Sequence, residues 1–174
     1  MIASALLETS CLSTHRLTLR RLSKVDQRLY VGLHTNPNVM RYNDKVWAAD
    51  KALRSFHFAL NQQQQSPPKT LMWGVHHNQS NTAIGLLAFY QLDWPNKRTC
   101  LGVLLKPDAW GCGYATEALT AASVVTSKTL GLEHLVGFCH PDNRAMQHCF
   151  GKAGYQLQSA NDNAQRWEIE TQGQ

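Results

Sequence analysis

A chain of 174 residues with 43% apolar content can bury a sizeable core and reads most simply as one domain over residues 1–174. Seventeen Lys and Arg against twelve Asp and Glu leave a net charge of +5, which favours anionic partners such as a phosphorylated ligand, RNA or an acidic ribosomal surface, yet no basic block interleaved with aromatics marks a dedicated nucleic-acid module. No apolar run reaches membrane-spanning length, the first thirteen residues lack a secretion signal's basic start, and five cysteines without C-x-x-C spacing read as free thiols in a reducing cytoplasm.

In chain order, residues 15–20 alternate and predict a first strand. Ser23 and Asp26 form a capping pair for a helix running toward Leu33, and Asn36-Pro37-Asn38 breaks the pattern. A second helix is predicted over 50–62, with Ala52, Leu53, Phe56 and Leu60 on one face. The polar stretch 62–69 is a surface loop. Residues 71–76, 84–92 and 99–105 are three strands with short links, an antiparallel meander. The turn Lys106-Pro107-Asp108 leads to the small-residue loop Gly111-Cys112-Gly113-Tyr114-Ala115. The loop runs into a helix carrying Ala115, Ala118, Leu119, Ala122 and Val125, with Gly131 as its stop. Residues 135–139 form the next strand, and strand–helix–strand order implies a parallel pair. Pro141-Asp142-Asn143 opens another helix that Gly154 stops, and 155–157 with 166–170 close as a hairpin. The fold class is α/β. His76-His77 and His148-Cys149 have no second pair at metal-ligand spacing, so no metal is expected.

The stretch from Thr99 to Ala118 organises the rest. A strand, a glycine loop and a helix N-terminus together make an anion site, because loop N–H groups converge on one ligand and the helix dipole adds about half a positive charge. A Walker loop does not fit, since no Lys-Ser or Lys-Thr follows Gly113, and a dinucleotide fingerprint fails because Thr116 holds the third glycine position. The wider string Trp110-Gly-Cys-Gly-Tyr-Ala-Thr-Glu-Ala118 resembles the pyrophosphate loop of GNAT-superfamily acyl-CoA N-acetyltransferases, Q/R-x-x-G-x-G/A, with Trp110, Gly113 and Ala115 at its defined positions. It looks like the branch containing the ribosomal-protein N-terminal acetyltransferases. Thr14-x-Arg16-Leu17-x-Leu19-Arg20 and Asn36-Pro37-x-Val39-Met40-Arg41-Tyr42 resemble two further segments of that branch. Asn143-R-A-M-Q-H-C-F-G-K-A-G-Tyr155 resembles the second family motif, N-x-x-S/A-x-x-x-Y/F-x-K-x-G-F/Y. Asn143 also reads as a plain helix N-cap.

The resemblance implies a mixed, partly splayed sheet flanked by helices on both faces. It implies acetyl-CoA as cofactor, bound through Leu104, Leu105, Lys106, Trp110, Gly111, Cys112, Gly113, Tyr114, Ala115, Thr116, Asn143 and Lys152. It implies a primary amine as acceptor, a protein N-terminus first and a small amine next, with ribosome association as a corollary. A backbone N–H near Leu104–Leu105 would hold the thioester oxygen. The sequence departs from the family where acid and base are expected: the usual glutamate aligns with Cys100, the serine with Met146 and the tyrosine with Phe150. Cys100 and His140 are the remaining catalytic candidates, and Tyr90 and Asp93 could line the acceptor side. A CoA-binding module without turnover, or an RNA- or ribosome-binding protein, are the alternatives from other classes.

Overall fold

The computed structural model describes residues 8–171. Among the described residues eight strands form one open sheet, in spatial order β1-β2-β3-β4-β5-β6-β8-β7. They are β1 (Cys11–Ser13), β2 (Leu17–Arg21), β3 (Leu71–His77), β4 (Ala83–Asp93), β5 (Arg98–Leu105), β6 (His134–Cys139), β7 (Gln156–Ala160) and β8 (Gln165–Glu170). All neighbours are antiparallel except β5 and β6, the parallel pair that the crossover helix requires.

The helices are α1 (Gln27–His34), α2 (Pro37–Met40), α3 (Ala49–Gln64), α4 (Tyr114–Val125) and α5 (Arg144–Lys152). Ser23 and Asp26 make the capping box ahead of α1. Asn36-Pro37 does more than end α1. The Asn36 side chain accepts the N–H groups of Asn38 (2.9 Å) and Val39 (3.3 Å) and starts α2, with Pro37 preset in its first turn. Gly131 stops the crossover helix at φ 65°, after a final π-helical turn.

Alternation along the strands divides the core between two faces. Leu87 and Phe89 of β4 join Trp73, Leu101, Leu119 and Phe150 beneath α4 and α5. Leu86, the residue before Leu87, points to the other face and joins Leu29, Leu33, Val39 and Phe56 beneath α1 and α3. Helices therefore cover both faces.

Three features depart from the sequence reading or add to it. The first strand starts at Leu17, because residues 14–16 leave the sheet to meet α4, and a short β1 precedes it. The closing hairpin forms with β8, not β7, against β6. Position 150, where other branches place a tyrosine acid, is fully buried. Its ring stacks on Trp167 at 5.8 Å and lies 5.3 Å from Tyr155, inside the core.

Gly137 lets that ring approach the sheet: a Cβ there would lie 2.3 Å from two Phe150 ring atoms. Gly137→Ala must displace a fully buried aromatic and should cost about 1–3 kcal/mol. Thermal unfolding should show the midpoint falling by roughly 2–4 °C per kcal/mol.

Candidate active site

The site begins where the sheet splits. β5 and β6 pair only from Arg98↔His134 to Leu101↔Gly137, whereas β5 stays paired with β4 through Leu105↔Gly85. Residues 102–105 thus keep one neighbour and lose the other. A cavity of about 480 Å³ fills the opening, walled by β5, β6, α5, the segment 38–43 and the loop after β5. The Lys106 N–H donates to the Ile84 carbonyl (2.8 Å), on the β4 side. Strand alternation then turns the N–H and C=O of Leu105 and Val103 toward the open edge, and those of Leu104 toward β4. The Trp110 indole N–H takes the Leu105 carbonyl at 2.9 Å. This leaves the Leu105 and Val103 N–H groups, not that of Leu104, as the donors directed at the cavity.

The loop after β5 is built on two left-handed glycines. Gly111 has φ 73° and Gly113 φ 80°, with Gly113 as the N-cap of α4. A Cβ on Gly111 would meet nothing within 4 Å, and one on Gly113 only the Arg16 guanidinium at 3.4 Å. The space over the loop is open to a ligand.

Arg16 braces the loop from behind. Its Nη1 donates to the Cys112 carbonyl (2.8 Å), its Nε to Glu117 Oε2 (2.7 Å) and its backbone N–H to Glu117 Oε1 (2.8 Å). The Thr14 hydroxyl donates to the same Oε1 at 2.5 Å. The guanidinium also covers the Tyr114 ring at 4.7 Å. Partial burial pushes the Glu117 carboxyl up, but the bonds from Thr14 and Arg16 outweigh it and hold the group below the usual carboxylate range. This brace joins residues 101 apart in sequence. The residues stood inside recognised motifs, but nothing local in the sequence paired them.

Among the residues expected to bind cofactor, Leu104, Leu105, Trp110, Gly111, Gly113, Tyr114, Ala115, Thr116, Asn143 and Lys152 line the cavity. Lys106 and Cys112 are not among the lining residues, and the exposed Cys112 contributes its carbonyl to the Arg16 brace. The Asn143 Oδ1 caps α5 by accepting the Met146 N–H (3.1 Å), which leaves its amide N–H₂ available as a donor.

Cys100 stands apart from the cavity. It lies within the paired part of β5, its Sγ donates to Gln91 Oε1 (3.3 Å), and burial pushes the thiol up, away from thiolate. Tyr90 and Asp93 do not line the cavity either. Burial pushes the Tyr90 hydroxyl up to about 12, and Asn96 holds the Asp93 carboxylate. His140 sits at the rim, its ring 5.8 Å from that of the cavity-lining Tyr42. The Asp142 N–H donates to its Nδ1 (3.1 Å), so the neutral ring carries its proton on Nε2. In that tautomer Nε2 is a hydrogen-bond donor.

These features fit acetyl-CoA: an open glycine cradle at the N-terminus of a twelve-residue helix for the pyrophosphate, then an unpaired strand edge, with the Lys152 cation on the facing helix. Comparison with known proteins agrees. The acetyltransferase (GNAT) domain profile matches residues 16–156. The uncharacterised N-acetyltransferase YoaA of Bacillus subtilis (strain 168) is 25% identical over 150 residues, which is 83% of this chain and 82% of YoaA. The Vibrio cholerae spermidine N-acetyltransferase, solved with CoA and spermine, has a TM-score of 0.78 at 18% identity, over 91% of this chain and 97% of its own. RimL, a ribosomal L7/L12 α-N-protein acetyltransferase solved with CoA, reaches 0.80 at 15% identity, over 92% and 97%. A family profile that runs through most of the sequence, on a sheet that opens beside a glycine cradle, makes this chain a member of the GNAT acetyltransferase family, whose acyl donor is acetyl-CoA.

Proposed function

We propose that this acetyltransferase acts on an α-amine, with a protein N-terminus as the acceptor. The observation that carries this reading is the open edge of β5. It offers the Leu105 N–H to an acyl oxygen, and among the described residues no lining side chain is an Asp or Glu that could serve as a carboxylate base. Bound acetyl-CoA supplies a thioester, which an amine converts to an amide with release of the CoA thiol. The chain's own part is positioning: the loop 111–116 holds the anionic end, Leu105 orients the acyl group and the Asn143 amide supplies a second donor. Orientation of this kind contributes roughly 7–11 kcal/mol, against about 10²–10⁴-fold for a general acid or base. An α-amine, with a pKa of about 8, is already partly neutral at pH 7, whereas a lysine amine near 10.4 depends far more on a base. The RimL neighbour, named for α-amino acetylation of a ribosomal protein, supports the same acceptor, and a cytoplasmic, ribosome-associated setting accords with the +5 charge.

Free-thiol release from acetyl-CoA, measured over pH with a panel of peptide α-amines, tests this. The rate should rise through the acceptor pKa without a bell. His140→Ala should cost less than about tenfold, because positioning and not a side-chain base carries the reaction. A loss near a thousandfold with CoA affinity preserved would make His140 the base. No thiol release with any amine would favour a CoA-binding module.

A further inference from the structure

The charges around the cavity bear on which amine enters it. Among the described residues its lining includes Arg41, His148 and Lys152 and no Asp or Glu. Nearby carboxylates are turned away or engaged. Asp44 accepts from the Trp47 indole (2.9 Å) and the Lys45 N–H (2.7 Å), with the Lys51 ammonium at 3.6 Å. Asp142 lies at the rim, its side chain 80% exposed and 3.7 Å from His140 Nδ1. Glu117 is held by Arg16 behind the loop.

His148 and Lys152 stand on α5, which also carries Asn143 at its cap. Arg41 belongs to the opposite wall, just past α2, and among the described residues no carboxylate pairs with it. Its guanidinium lies over the Tyr42 ring at 5.1 Å, and that ring stacks on His140 at 5.8 Å. The layer rests on an anchored segment, since Trp47 stacks on His34 at 4.6 Å and its N–H bonds the His34 carbonyl (3.1 Å). A stacked guanidinium is a pre-ordered fork of donors that matches a carboxylate in two places. A polyamine, by contrast, would bring several positive charges into a cavity that has cations and no carboxylate to receive them.

From this we infer that the acceptor is a primary amine carrying a carboxylate within a few bonds, such as a peptide N-terminus followed by Asp or Glu, and that Arg41 reads that carboxylate. The inference rests on the amine-acetylation reading above and narrows its substrate class. It separates this chain from the structural neighbour solved with spermine, although the fold is shared.

The test is steady-state thiol release with amidated tetrapeptides Ser-Glu-Ala-Ala, Ser-Gln-Ala-Ala and Ser-Lys-Ala-Ala, free glutamate and spermidine. Wild type should favour the Glu peptide over the Lys peptide by about tenfold in kcat/KM and use spermidine least. Free glutamate as the better substrate would place the carboxylate on a small amino acid, and the Arg41 assignment would stand. Arg41→Glu should raise KM for the Glu peptide about five- to tenfold, reverse the peptide order and leave the KM for acetyl-CoA within about twofold, with Arg41→Lys restoring part of the preference. Equal use of the Glu and Gln peptides, preference for spermidine, or an unchanged order in Arg41→Glu would overturn the inference. Absence of thiol release with every amine would overturn the acetylation reading itself, and an unselective but active enzyme would overturn only this inference.

Discussion

Gly113→Val should abolish the rise in melting temperature that acetyl-CoA gives the wild-type protein, and should weaken CoA affinity by at least about tenfold, or about 1.4 kcal/mol. Gly113 caps α4 at φ 80°, where a β-branched residue is strained in any environment. Its Cβ would start 3.4 Å from Arg16 Nη2, and the two valine methyls extend beyond that point, against the guanidinium or over the loop. Relief requires the peptide to turn, and turning it re-aims the loop N–H groups that hold the pyrophosphate. The strain falls in an exposed loop and not in the core, so circular dichroism should still show a folded protein. Pantetheine without phosphate should raise the melting temperature little in wild type and be affected little by the substitution, because it does not use the cradle. Unchanged CoA affinity in a folded Gly113→Val would remove the loop from the donor site.

What the sequence disclosed here, and what it did not, follows from the range of the interactions. The crossover helix, its glycine loop and the capped helix at Asn143 are written in consecutive residues: a period, a cap, a stop. Each was legible without the fold. The choice of Leu105 over Leu104 as the cavity donor depends on which edge of β5 meets β4, a fact of pairing register that no single strand contains. Likewise β8 inserts between β6 and β7, so the hairpin was legible but not its place in the sheet. Cys100 was a reasonable candidate by alignment, but parallel pairing with β6 lasts through Leu101 and seals that position before the sheet opens. The splay begins one residue later, at Gly102, a cavity-lining residue. A shift of two residues along one strand decides between core and site.

Removing Glu117 should show that the loop is held from behind as well as shaped by its glycines. The carboxylate accepts three hydrogen bonds, from the Thr14 hydroxyl, the Arg16 N–H and the Arg16 Nε, and through Arg16 it fixes the Cys112 carbonyl. Bonds to a charged group are worth about 1.5–3 kcal/mol each when buried. The Arg16 side chain is 38% exposed, so solvent screening places this brace toward the lower end. Glu117→Ala should therefore lower CoA affinity about ten- to fiftyfold, read by calorimetry. Arg16→Ala should do nearly as much, and the double variant little more, because both act on one bond network. Additive losses would mean that the two residues act independently and that the brace does not transmit to the loop. Glu117→Gln separates charge from shape: its amide oxygen can keep the Thr14 and Arg16 N–H bonds while its N–H₂ opposes Arg16 Nε, so it should fall between wild type and alanine. The pH dependence has a definite sign. A carboxyl held below its ordinary range stabilises the fold at pH values above its unfolded pKa, about 4.3. That contribution is lost as pH falls through the depressed native value. Acid unfolding of wild type should thus carry a component below pH about 4 that Glu117→Gln lacks. Identical acid profiles for the two proteins would contradict a charged Glu117–Arg16 brace.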